Sequence, residues 1–477
     1  MSDDLYRLTA REAVRRLRSG EVTPLDLIDA VERRVAAVNG AVNALVTPAY
    51  GRARDHARRL MALPAAERGL LAGLPVGIKD LNNVAGVRTA YGSPIFADNV
   101  PAVSDIMVQT IEDKGGIVIG MTNTPEFGAG ANTFNPVFGE TRNPWNPALN
   151  TGGSSGGSAA ALATGIVALA SGSDLGGSLR TPASFCSIVG FRPSPGRVAN
   201  GPSEQRFNDL AVEGPMARGV LDVALLLDAM SGWRVEDPIS LPAPPVPFLE
   251  AAERRRKPKR IALAMDLGGA TPVDRPTRAI VRAAADKLAN AGIEIAEASP
   301  DFSGAAETFH VLRALGYATN MRALLAHHRD KLKPDVIWNI EEGLRLTAER
   351  IGQAMLRRSR LYGEVVAFLE QYDFLLSPAA CCAPNPLEER WVHEVDGHTF
   401  ENYIGWLTLP ACITLTTCPA LAIPAGFTDD GRPVGIQLVG APRGDADVLS
   451  AGAAIEEILG VSDAVPIDPK PARPLSR

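Results

Sequence analysis

Two glycine-serine segments, Gly152-Gly153-Ser154-Ser155-Gly156-Gly157-Ser158 and Asp174-Leu175-Gly176-Gly177-Ser178-Leu179-Arg180, constrain the fold of this chain more than any other feature. Flexible linkers use the same residues. Here, however, only an apolar, Ala-rich stretch (residues 159–170), suited to a buried helix, separates the two, and residues 188–191 then read as a buried strand. The serines are therefore held on glycine turns inside a packed core, where the missing Cβ lets backbone N–H groups converge on a ligand.

The rest of the pattern alternates strands and helices. Thr23-Pro24 is an N-cap and first-turn pair opening a helix to residue 37. Residues 74–78 form an apolar strand that ends on two charges, Lys79-Asp80. A helix over 104–114 runs through Gly115-Gly116 into a strand at 117–120, and Asn143-Pro144-Trp145-Asn146-Pro147 reads as a rigid turn. Further helices are expected over 219–231, 278–290, 340–372 and 445–459, with strands at 261–265, 293–296 and 374–376. Strands at 420–424 and 434–439 are joined by an Asp429-Asp430-Gly431 turn. This alternation predicts an α/β sandwich. The proline-rich stretch 238–247 marks a candidate internal seam near 236–260, and a helical insert is expected at about 300–372.

Composition excludes several functions. With 48 basic against 54 acidic residues and a net charge of −6, the chain lacks the positive surface that nucleic acid requires. The basic run Arg254-Arg255-Arg256-Lys257-Pro258-Lys259-Arg260 reads as a solvated loop. There is no apolar signal region near the start and no run long enough to span a bilayer, so a cytoplasmic protein without membrane partners is expected. Five cysteines without a C-x-x-C pair fit reduced thiols, and six scattered histidines form no metal-binding pattern, so neither metal nor cofactor is expected.

A serine hydroxyl attacks a carbonyl only with a base in reach and N–H donors where the oxyanion forms. Gly152-Gly153-Ser154-Ser155-Gly156 matches the G-x-S-x-G elbow, but that motif needs a strand directly before it, and residues 143–151 are rich in proline and asparagine. In the second segment, successive N–H groups of Leu175, Gly176, Gly177 and Ser178 can surround a carbonyl oxygen beside Ser178. Lys79 can serve as base if burial lowers its pKa; a salt-bridged lysine at a strand end is the competing reading.

Several motifs, in order, resemble the amidase signature family. They are Leu74-Pro75-Val76-Gly77-Ile78-Lys79-Asp80, Gly120-Met121-Thr122-Asn123-Thr124-Pro125-Glu126-Phe127 and Arg142-Asn143-Pro144-Trp145-Asn146. The two glycine-serine segments, Gly190-Phe191-Arg192-Pro193, Gly214-Pro215-Met216-Ala217-Arg218 and Pro419-Ala420-Leu421-Ala422-Ile423-Pro424-Ala425-Gly426 complete the set. The resemblance spans nearly the whole chain. It implies a single domain over residues 1–477, with a central mixed β-sheet covered on both faces by helices. It further implies a triad in which Ser178 is the nucleophile, Ser154 the bridging serine after a cis peptide bond, and Lys79 the base.

By the same resemblance Ser155, Ser173 and Arg180 support the triad, and Asp174 orders the oxyanion loop. The implied activity is hydrolysis of a small-molecule amide through an acyl-enzyme, with aryl amides, esters and carbamates within reach of the same chemistry. The alternative is a partner-dependent amidotransferase component that delivers ammonia. Thr181 stands where such components typically carry glutamine, which weakens that role. Met121, Ser187, Phe191 and the Thr416-Thr417-Cys418-Pro419 stretch also depart from the family pattern, none of them in the triad. Pocket walls are expected from Phe127-Gly128, residues 204–207 including Phe207, residues 310–317 and residues 381–406, and the assembly is expected to be a monomer or homodimer.

Overall fold

Along the central strands, successive side chains enter different apolar clusters: Ile117 and Ile119 join one and Val118 another, and Met216 and Ala217 divide the same way. A period of two with both faces apolar means a sheet buried on both sides, so helices must cover each face. The computed structural model, which describes residues 3–473 except Glu204, has this arrangement.

Among the described residues, eleven strands make one mixed sheet. They are β1 (Leu45–Pro48), β2 (Pro75–Lys79), β3 (Ile117–Thr122), β4 (Leu169–Asp174), β5 (Val189–Arg192) and β6 (Val212–Ala217). The remainder are β7 (Arg260–Leu263), β8 (Glu294–Glu297), β9 (Phe374–Pro378), β10 (Ala420–Phe427) and β11 (Pro433–Val439). Their order across the sheet is β1-β3-β2-β4-β6-β5-β10-β11-β9-β7-β8. The neighbours of β2 run parallel to it, whereas β4 and β6 pair antiparallel, so three strands distant in sequence meet in the order β2-β4-β6.

The helices that frame the site are α1 (Pro24–Val42), α2 (Ile106–Asp113), α3 (Gly156–Ala163), α4 (Arg180–Cys186), α5 (Val220–Met230) and α6 (Arg275–Asn290). Three more, α7 (Ala305–His328), α8 (Pro334–Leu344) and α9 (Ala348–Leu369), lie between β8 and β9, followed by α10 (Thr408–Leu415) and α11 (Asp445–Leu459). Thr23 and Asp26 cap α1 reciprocally and Pro24 fills its first turn, so that helix starts where the residues dictate. Among the described residues no helix is long and apolar enough to cross a membrane.

Several boundaries differ from the sequence expectation. The Ala-rich stretch is not one helix: α3 ends at Ala163, Gly165 turns the chain at φ +73°, and residues 169 and 170 open β4. Alanine tolerates both states, and pairing with β2 and β6 decides between them. Residues 142–150 are not merely a turn but a hairpin, Arg142–Asn143 against Asn146–Asn150. A strand therefore does precede Gly152, yet it belongs to this separate two-stranded ribbon and not to the central sheet. The stretch 340–372 is two helices, because Thr347 caps the start of α9 and interrupts the run.

Candidate active site

Lys79 is the last residue of β2 and is completely buried. Its Nζ is within hydrogen-bond distance of three hydroxyls: Ser154 Oγ at 2.7 Å, Ser155 Oγ at 2.9 Å and Ser173 Oγ at 2.9 Å. An ammonium would donate to all three; a neutral amine would donate to two and turn its lone pair to the third. Burial drives the Lys79 pKa down to about 7, and the carboxylates of Glu213 and Asp174 pull it partly back. A salt-bridged strand-end lysine is thus not what the structure contains; among the described residues no carboxylate lies within ion-pair distance of this nitrogen.

Local structure explains how the serines reach it. The Gly153–Ser154 peptide is cis, as the resemblance implied, and Ser155 stands at the N-terminus of α3. Gly157 lets that helix approach the end of β3: a Cβ there would come within 2.2 Å of the Asn123 backbone nitrogen. Ser173 lies on β4, and Ser171 on the same strand accepts the Lys79 backbone N–H at 3.1 Å. Ser158 ties the layers together, donating to the Ser171 carbonyl at 2.8 Å and bonding Thr122 at 2.7 Å.

The second segment forms the loop between β4 and α4. Gly177 adopts φ +106°, a conformation for which a side chain is strained, and a Cβ would also meet Pro410 at 2.6 Å. Asp174 holds the loop from inside: it accepts the N–H groups of Gly177 at 2.9 Å and Leu179 at 3.2 Å, and pairs with Arg180 at 2.9 Å and Arg192 at 3.3 Å. Burial alone would raise this carboxyl, but the two guanidiniums outweigh it and hold it well below the usual carboxylate range. Arg180 extends the lattice to Gln437 and Thr414.

This geometry modifies the expected set of four oxyanion donors. The Gly177 N–H is already committed to Asp174, which leaves Leu175, Gly176 and Ser178 as N–H groups without a partner among the described residues. Ser178 itself is half-buried, and its Oγ has no hydrogen-bond partner among the described residues. It faces a cavity of about 560 Å³ whose floor also includes Ser154 and Ser173.

Phe127, Gly128 and Phe207 all line this cavity, Phe207 at 80% exposure. Gly128 approaches closely: a Cβ on it would lie 3.4 Å from Ser154 Oγ. The α7 segment supplies Leu312, Arg313 and Tyr317, in line with the expected wall at 310–317. Residues 381–406 do not line it; Cys381, Cys382 and Trp406 instead build a separate apolar cluster with Phe185, because burying large side chains there fills the core. Of the expected wall at 204–207, Glu204 lies outside the described residues. No described histidine lines the cavity.

The sequence reading does not reach Glu213, a buried acid on β6 that borders the cavity. The available signal is a charge inside the otherwise apolar run Leu210-Ala211-Val212 before Gly214-Pro215. Burial raises its carboxyl above the ordinary range, and Lys79 opposes that rise.

A large mixed sheet carrying a buried lysine among serines on glycine turns defines the amidase signature class of enzyme. The Amidase family model matches residues 26–449, and the chain belongs to that family. It is 34% identical over 473 residues to an acylamidase of Rhodococcus erythropolis, covering 98% of each chain. It is also 33% identical over 457 residues to a glutamyl-tRNA(Gln) amidotransferase component of Synechococcus, covering 89% of this chain and 91% of the relative. A solved bacterial aryl acylamidase of the amidase signature family superposes with a TM-score of 0.89 at 27% identity, covering 96% of this chain and 97% of that one. The protein is therefore an amidase enzyme.

Proposed function

We propose that the chain hydrolyses carboxylic amides through an acyl-enzyme on Ser178, with Ser154 as proton relay and Lys79 as base. The observation that carries this reading is the buried Lys79 amine, bonded to Ser154 at 2.7 Å at the floor of a cavity where Ser178 Oγ is free. A buried amine with depressed pKa is neutral often enough near pH 7 to accept a proton. Ser178 attacks the carbonyl while its proton passes to Ser154, whose own proton moves to Lys79. The N–H groups of Leu175, Gly176 and Ser178 stabilise the oxyanion. The relay then runs backwards to protonate the leaving nitrogen, and water releases the acid.

Supporting roles follow from contacts. Ser155 and Ser173 hold the lysine nitrogen in place, while Asp174 and Arg180 hold the oxyanion loop. Phe127, Phe207, Leu312 and Tyr317 give the cavity an apolar, partly aromatic wall, which favours an aryl or alkyl group on the acyl or amine side. Esters and carbamates, urethanes among them, can enter the same acyl-enzyme sequence. We place the enzyme in the cytoplasm, where five free, buried cysteines stay reduced, as a single folding unit acting as monomer or homodimer.

The amidotransferase relative supports a second reading, in which the chain needs a partner and passes ammonia to an acceptor. Purified chain separates the two. Release of p-nitroaniline from an anilide, without glutamine, ATP or a second chain, and its loss in Ser178→Ala, is the expected result. An inert lone chain that hydrolyses glutamine when partnered would favour the second reading.

A further inference from the structure

Buried carboxylates are usually surrounded by donors, because an unpaired charge in the interior is costly. Asp222 follows the rule, accepting the Ala10 N–H at 2.7 Å and the Arg11 N–H at 3.1 Å, and Asp80 accepts the Ala90 and Gly92 N–H groups. Glu213 does not: its Oε2 is fully buried and has no hydrogen-bond partner among the described residues. Hydrogen bonding leaves this oxygen unpaired, and the acid also borders the cavity.

Its place in the sheet supplies the reason. Glu213 on β6 lies directly opposite Ser173 on β4, so the two side chains share one face of the sheet. Ser173 Oγ in turn bonds Lys79 Nζ at 2.9 Å from the next strand, β2. Lys79, Ser173 and Glu213 thus form a row across three adjacent strands. The charged and titratable groups around this row are few. Asp174 also faces Lys79, but Arg180 and Arg192 neutralise it. Asp105 faces Glu213 from the N-terminus of α2 and accepts the Asn83 N–H at 3.0 Å. Asp209, also on the cavity, is paired with Arg358 at 2.8 Å. The Asn82 side chain donates toward Glu213 and opposes the rise in its pKa.

We infer that Glu213 is the counter-charge of Lys79, a positioning residue that sets how firmly the lysine holds the proton released by Ser178. This rests on the proposed roles of Lys79, Ser154 and Ser178. Above about pH 7, where both groups have given up their protons, a Glu213 carboxylate faces a Lys79 amine before attack. As Ser178 adds to the carbonyl, its O–H bond breaks and its proton joins Ser154, whose own O–H proton forms the new N–H bond on Lys79. The pair becomes carboxylate and ammonium, with no net charge left in the interior. When the leaving nitrogen takes the proton back, the pair returns to its first state. Without Glu213 the transient ammonium would be a lone buried cation, and Lys79 a weaker base.

The test is the pH profile of kcat/KM on an anilide for wild type, Glu213→Gln and Glu213→Asp, with thermal melts to show that each is folded. Glutamine keeps the shape and removes the charge. Its acid limb is expected to move to lower pH by about one unit or more, the size of shift a nearby opposite charge produces. Its plateau is expected to fall about ten-fold, the equivalent of that unit in proton affinity. Aspartate retains the charge one methylene further away, and its limb should lie between the other two. A folded glutamine variant with a wild-type acid limb overturns the inference whatever its plateau, as does an aspartate limb displaced further than that of glutamine. Ser178→Ala is run alongside. If that variant keeps wild-type turnover, the triad reading itself fails; if it is inert while the Glu213 variants leave the limb in place, only the counter-charge fails.

Discussion

Asp174 and Lys79 are both completely buried charges beside the same cavity, and their surroundings are built in opposite ways. Asp174 sits in a closed lattice of two arginines and two backbone N–H groups, which locks its ionisation and with it the loop that carries Ser178. The Lys79 amine hydrogen-bonds only hydroxyls among the described residues, with carboxylates further off, and its pKa is left near 7. A structural ion is one whose charge cannot change at working pH, whereas a base must be able to change it. On the proposed role of Lys79, burial makes either one, according to which partners are supplied.

The two buried groups should respond differently to substitution, and the largest effects belong to the lysine. Lys79→Ala and Ser178→Ala should each lower kcat by about 10³-fold or more in protein that calorimetry shows to be folded, with the melting temperature falling only in the lysine variant, which empties a buried site. Near wild-type turnover in either variant would remove that residue from the chemistry.

On the aspartate side the effect should be on stability. Asp174→Asn leaves two buried guanidiniums without their anion, and denaturant unfolding is expected to show a loss of about 3–5 kcal/mol. Because its folded pKa is depressed, the stability Asp174 contributes is fully present above the ordinary carboxylate value of about 4 and is lost only as pH falls through the lower folded value. Wild type should therefore keep the Asp174 contribution through mild acid, and a stability difference between wild type and variant that vanishes at pH 6 would contradict the lattice.

Activity and stability should then separate with pH. Lys79 has its pKa lowered to about 7, so kcat/KM should fall as pH drops through that value while the fold is intact. An activity profile flat down to pH 5 would mean that the lysine is not the titrating base. The smallest effect is expected at the rim. Phe207→Ala removes an exposed ring, so stability should stay within about 0.5 kcal/mol, while KM for aryl amides rises a few-fold relative to small aliphatic ones.

Much of this was legible in the chain because it depends on local backbone requirements. Thr23-Pro24 announces a helix start through capping and a fixed φ, and Gly176-Gly177 announces a turn, in which Gly177 takes a φ of +106° that strains any side chain. The strand ending at Lys79 and the hairpin of β10 and β11 were readable from alternation and a turn. Other features were not. Residues 159–170 divide between helix and strand because alanine has no strong preference against tertiary pairing, and residues 381–406 go to the core rather than the cavity because apolar character does not say which space a side chain fills.

Contiguous residues carry the family and the strand-helix alternation, and they single out Lys79, Ser154 and Ser178 as candidates, since ordered motifs and glycine turns are local properties. The folded chain alone shows that the lysine is buried among three hydroxyls, that the Gly177 N–H is taken by Asp174, and that Glu213 stands opposite Ser173, which bonds Lys79. These are relations between strands that are distant in the chain and adjacent in the sheet. Sheet order is set by how both apolar faces are covered, and no local pattern encodes that.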